Sequence, residues 1–234
     1  MKLIIIPTLN EKKNIKKLFF QIKKLKFNFD ILFIDDNSTD GTKNEIVTFS
    51  RKFINVRYIF RPKKLGIGSA HKVGLIYGYK RNYKKILTMD ADGTHNPKYI
   101  KQLINLSDKY DLVITNRFIN PKSLADWPVF RKILTNIRFY LINILLNFNY
   151  DSSGAFRCYN VKNIKINHIL LAKDSSYSFF WESIYHLNKK NYSIKQISVN
   201  LPYRKLGSSK MRIMDIVQSL LYLFKYFVKN LTKK

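Results

Sequence analysis

"ILTMDADGTHNP", residues 86–97, runs from a short apolar stretch, Ile86–Met89, into two aspartates one residue apart, Asp90 and Asp92. Such a run suits a strand covered on both faces, as in parallel sheets. Unpaired carboxylates at its tip are costly to desolvate, so something cationic belongs beside them. Carboxylates at i and i+2 can set oxygens around one hard divalent cation, Mg2+ or Mn2+, which keeps waters and completes its shell with phosphate oxygens. Capping the helix that Pro97 begins is the plainer use of the same residues.

Working outward, "LIIIP" (Leu3–Pro7), "ILFIDD" (Ile31–Asp36), "VRYIF" (Val56–Phe60) and "LVITN" (Leu112–Asn116) also read as strands. Between the first two, Ile15, Leu18, Phe19, Ile22 and Leu25 recur at helical spacing, with Asn10 placed to cap the start. Residues 40–53, 68–80 and 97–110 read as further helices. The alternation predicts an α/β domain with a mostly parallel central sheet flanked by helices. In open sheets of this kind ligands bind beyond the carboxyl ends of the strands. Glu11, Asp35, Asp36, Asp90, Asp92 and Arg117 all follow predicted strands and are expected to line one cleft.

The 234 residues fit one domain, and 46% hydrophobic content excludes a disordered chain. A single cysteine, Cys158, forms no internal disulfide, which fits a reducing cytosol. Pro7 interrupts the first apolar run before a signal-peptide core is complete. The formal charge of +28 favours anionic partners, although Lys, Asn and Ile are abundant throughout. No RNA-recognition, KH or helix-turn-helix pattern accompanies it, so nucleic acid is not the expected partner. Residues 130–150 and the C-terminal stretch are apolar but salted with Lys and Arg. They read as basic amphipathic helices and not bilayer spans: the C-terminal stretch is expected at a lipid interface, while residues 130–150 suit either that interface or a helix that covers the sheet.

"IIIPTLNEKKNI", "DILFIDDNSTDGT", "RPKKLGIGSAHKVGL" and "ILTMDADGTHNP", taken in order, resemble the glycosyltransferase family 2 signature. The nearest likeness is to the dolichyl-phosphate (polyprenyl-phosphate) mannose and glucose synthases. "ITNRF", "DWPVFRKIL", "DSSGAFRCY", "YSFFWE" and "YRKLGSSKM" extend it over almost the whole chain. The resemblance implies a GT-A (nucleotide-diphospho-sugar transferase) fold. Its glycosyltransferase domain would span 1–210, with amphipathic acceptor or membrane-interface helices at 125–150, and a basic amphipathic helix would follow at 211–234.

Carried over by motif, the resemblance implies that Pro7, Leu9, Glu11, Ile34 and Asp36 hold the nucleoside. Asp90 and Asp92 bind a metal at the diphosphate, with Ala91 against the nucleotide and the Thr94 hydroxyl as a further ligand. Arg204 and Lys210, in a segment with Gly207 and two serines, close over the phosphates. Arg117 and Arg131 grip the acceptor phosphate, so Asp92, Arg117 and Arg131 are the expected catalytic residues. The implied reaction is inverting, metal-dependent transfer of a hexose to a polyprenyl or dolichyl phosphate at the cytoplasmic face of a membrane, with GDP-mannose the favoured donor.

A phosphate acceptor, with its second pKa near 6, is already largely anionic at neutral pH and needs cations more than a base. The alternative, UDP-glucose or UDP-N-acetylhexosamine with a hydroxyl acceptor on a glycan, needs a general base, for which Glu182 is the candidate. Leu9 stands where the family often has Tyr, and "DGTH" replaces the more frequent D-L-S-H. "GIGSAH" lacks the third glycine of a dinucleotide fingerprint. The four histidines are scattered, which suits structural roles, and Arg157 is a candidate ion-pair partner for Asp151.

Overall fold

Leu3–Ile6 and Ile31–Ile34 are sealed from solvent on both faces in the computed structural model, which describes residues 1–204, 210 and 213–231. These runs form β1 (Lys2–Thr8) and β2 (Asp30–Asp35) at the heart of one seven-stranded sheet. The others are β3 (Val56–Phe60), β4 (Lys85–Thr88), β5 (Leu112–Asn116), β6 (Arg157–Asn160) and β7 (Ile194–Ser198), in the order β3-β2-β1-β4-β6-β5-β7. Every pairing is parallel except those of β6, which runs antiparallel to both β4 and β5.

The period-2 alternation of strand side chains divides the core. Ile4, Ile6, Ile31 and Phe33 face α1 (Lys12–Lys23), α2 (Thr42–Lys52) and α4 (Ile100–Leu106). Leu3, Ile5, Leu32 and Ile34 face α3 (Ile67–Lys80), α6 (Ile166–Ile169) and α7 (Ser178–Lys189). Burying each such side chain is worth about 1.5–3 kcal/mol against leaving it in water. A third, smaller cluster joins Ile142 and Leu146 of α5 (Val129–Leu146), Trp181 of α7 and Leu223 of α8 (Ile213–Leu231).

All five expected strands are present. The expected helix at 97–110 is shorter: Pro97–Tyr99 is a 3-10 turn that leads into α4. Asn10 does not cap α1. It adopts a left-handed φ of 54°, accepts the Thr39 N–H and receives no helix donor, so it staples the β1–α1 turn to the β2–α2 turn.

Candidate active site

Asp90 and Asp92 follow β4 at the carboxyl rim of the sheet. The Asp90 N–H donates to His95 Nδ1 at 2.9 Å, which leaves the proton of a neutral ring on Nε2, 3.7 Å from Asp90 Oδ2. Burial lowers the His95 pKa to about 4, so the ring is neutral at physiological pH, stacked on Phe156 at 5.0 Å. His95 thus orients the first aspartate, a role its sequence position did not disclose. Asp92 Oδ1 accepts both the Thr94 N–H (3.0 Å) and the Thr94 hydroxyl (2.7 Å) across Gly93, whose φ of 81° the turn requires. The Thr94 hydroxyl, expected as a further metal ligand, holds Asp92 in place here.

Asp92 Oδ2 faces Arg204 Nη1 at 3.5 Å, and Arg204 Nη2 donates to both carboxylate oxygens of Glu11 at 2.7 and 2.8 Å. Asn14 supplies a further donor to Glu11 at 2.7 Å. Burial raises the Glu11 pKa against the opposing pull of Asn14 and Arg204. Asp90 is raised further, to about 8, by burial and then by the negative charges of Asp92 and Glu11. Among the described residues no donor hydrogen-bonds its carboxyl oxygens. Hard oxygen ligands with excess negative charge fit a divalent cation. The described residues hold no cluster of three or more His, Cys, Asp or Glu that would cage one unaided, so such a cation would draw on the substrate for ligands.

The raised pKa of Asp90 makes folding stability depend on pH. Its folded-state pKa lies above the ordinary 3.8, so between those values the folded protein binds the extra proton. Its stability then falls as pH rises. In chelator, the Tm is expected to drop between pH ~4 and ~8, and Asp90→Asn to flatten that slope. Melting curves across the interval check it.

The antiparallel course of β6 shapes the other side of the rim. A strand that runs against its neighbours begins where they end, so Asp151–Phe156 arrives beside Asp90 and Arg117. Asp151, 2% exposed, accepts from the Arg117 backbone N–H at 3.0 Å and from its Nε at 2.8 Å. Arg117 Nη2 reaches Ser153 at 3.3 Å, and the guanidinium lies close enough to Asp90 to oppose the rise in its pKa. Arg131, on the first turns of α5, stacks its guanidinium on Tyr203 at 5.5 Å. Lys210 is half-exposed, and Gly207 with its two serines lies outside the described residues.

The remaining expected site residues have these surroundings within the protein. Asp35 is fully buried and held by Thr8 and Ser38. Asp36 is ion-paired to Arg61 and accepts the Leu65 N–H at 3.2 Å. Ile34 packs into the core under α3, its Cδ1 2.8 Å from where a Cβ on Gly74 would stand. Pro7 and Ala91 are buried at the strand ends, and Leu9 is half-exposed. Arg157 does not pair with Asp151; it donates to the Ser152, Gly154 and Phe180 carbonyls and to the Ser183 hydroxyl. Gly68 of "GIGSAH" serves close packing, since a Cβ there would lie 2.5 Å from the Ser176 carbonyl.

Glu182, the candidate base, is 1% exposed and accepts from the Asp174 N–H and the Tyr222 hydroxyl, both at 3.1 Å. With Ser178–Ser219 and His186–Tyr226 contacts it docks α8 onto α7. The opposite face of α8 exposes Met214, Val217, Leu221, Phe224 and Val228, and α5 exposes Val129, Phe130, Ile133, Ile137 and Ile144. No helix among the described residues is long and apolar enough to cross a membrane.

This sheet, with Asp90 and Asp92 at its carboxyl rim, has the GT-A nucleotide-diphospho-sugar transferase fold. The chain is a glycosyltransferase and belongs to Glycosyl transferase family 2, whose model matches residues 3–166. Over 210 residues it is 28% identical to an undecaprenyl-phosphate mannosyltransferase of Micrococcus luteus, covering 89% of this chain and 86% of that one. It is 26% identical over 223 residues to a polyprenol monophosphomannose synthase of Mycolicibacterium smegmatis, covering 93% and 83%. Its fold is similar to that of the mannosyltransferase PcManGT from Pyrobaculum calidifontis, solved with GDP-Man and Mn2+. That match has a TM-score of 0.56 at 13% identity and covers 97% of this chain and 64% of that one.

Proposed function

We propose that this glycosyltransferase moves a hexose, mannose from GDP-mannose first among candidates, onto a polyprenyl phosphate at a membrane surface. The observation that carries the reading is Arg117, clamped by Asp151 within electrostatic reach of Asp90, while Glu182 is spent on docking α8. A cleft with a fixed cation, whose candidate base Glu182 is occupied elsewhere, suits an acceptor that is already an anion. The names of the two relatives point to the same acceptor chemistry.

Asp90 and Asp92 would hold a divalent cation, which when bound offsets the charge of the departing diphosphate. Arg204, now neutralised by Glu11 and Asp92, lies where it can meet the same phosphates. The planar fork of Arg117 suits a phosphate better than a lysine would. It lowers the repulsion between two anionic substrates and aims the acceptor oxygen at the anomeric carbon, opposite the leaving group, so that configuration inverts. The exposed apolar stripes of α5 and α8, rimmed by Lys132, Lys225 and Lys229, would lie in the lipid interface.

Purified protein supplied with labelled GDP-mannose, Mn2+ and polyprenyl phosphate in anionic vesicles is expected to yield a lipid-extractable sugar and to sediment with the vesicles. Transfer to a free polyprenol or a glycan hydroxyl, with none to the phosphate, would refute the acceptor assignment. Preference for a UDP-sugar would replace the donor alone.

A further inference from the structure

Arg138 lies two turns beyond Arg131 on α5, seven residues on, so the two occupy the same helix face about 10 Å apart along the axis. Its Nη2 is sealed from water, and no described residue accepts a hydrogen bond from it. Leaving a guanidinium nitrogen so is costly, because its hydration has been lost with nothing in return.

The surrounding charges deepen the problem. Arg117 is a positive neighbour, and Asp151 is the compensating carboxylate. Asp151 Oδ2, however, already takes two donors from Arg117. Two cations thus share one anion. Burial, then the charge of Arg117, bring the Arg138 pKa down to about 10, which still leaves it charged at neutral pH. The half-buried Tyr177 has both Asp90 and Arg138 among its charged neighbours, which puts Arg138 on the aspartate side of the rim. Beside Arg117, a small cleft opens between Phe118–Leu124 and α5, with Lys132 and Asn136 on its wall.

We propose that the Arg138 guanidinium, left without a partner beside Arg117, binds the phosphate of the lipid acceptor. The assignment rests on the phosphate-acceptor reading above and adds a residue to it. A dianion between two planar forks satisfies donors that the protein alone leaves unmet.

The test is Arg138→Met, which keeps much of the stem and removes the charge. Without ligands the variant is expected to melt ~2–4 °C higher, because a guanidinium nitrogen sealed off without a partner is gone. Its KM for polyprenyl phosphate and for the short geranyl phosphate is expected to rise by the same factor, about tenfold or more, with the donor KM unchanged. Geranyl phosphate should raise the Tm of the wild type and not that of the variant. A lower Tm, failure to fold, or an acceptor KM within about twofold of wild type would overturn the assignment. Wild type that forms no lipid-linked sugar, yet is protected by geranyl phosphate through Arg138, would instead sink the reaction and leave the anion site standing.

Discussion

Asp92→Asn is expected to lower hexose transfer by about 10²–10³-fold with little change in folding stability. The amide oxygen can still accept the Thr94 N–H and hydroxyl, so the turn at Gly93 survives. What disappears is the charge on the oxygen that faces Arg204. Initial rates at saturating donor and Mn2+, beside a melting curve, separate the two effects. Chelator should bring the wild type down to nearly the same floor and cost the variant little more, because groups that act as one unit are not additive. Undiminished turnover by Asp92→Asn would remove this residue from the chemistry.

Arg117→Ala should have two large consequences that can be pulled apart. Its Nε supports a carboxylate, Asp151, that is 2% exposed, and removing one partner of such a buried pair costs about 3–5 kcal/mol. Urea unfolding measures that loss. The same change should lower kcat/KM for the acceptor by about 10²-fold or more. Adding Asp151→Asn removes the stranded charge. The double variant is expected to regain only part of the stability, because Arg138 loses the same carboxylate, and none of the acceptor affinity. If acceptor use returned with stability, Arg117 would be a structural ion-pair partner and nothing else.

Most of the fold was legible because β1, β2, β4 and β5 are buried on both faces and leave unbroken apolar runs. The site carboxylates were legible for a related reason: a charged residue straight after such a run must sit at the rim. β6 and β7 were not anticipated. Arg157-Cys158-Tyr159-Asn160 is four residues long and contains a buried arginine. Ile194–Ser198 is an edge strand with mixed burial. Neither carries a period long enough to detect. Asp151 and Arg157 find partners 34 and up to 26 residues away, set by the reversed course of β6, and His95, five residues from Asp90, is held there by stacking on Phe156 of the same segment. Glu182 was ambiguous because an acidic residue among aromatics reads alike as a base or as an anchor; Tyr222, 40 positions on, decides it. Arg138 looked like one more cation on a basic amphipathic helix, and only its sealed, unpartnered Nη2 sets it apart.

The Arg204 bridge spans 193 positions of sequence to reach Glu11. This guanidinium is already held by Glu11 and faces Asp92. A phosphate that takes it must therefore leave two carboxylates in need of another cation. A divalent ion arriving with that phosphate meets both needs, so metal and phosphate are expected to raise each other's affinity, which a thermal-shift titration of each in the presence of the other would read.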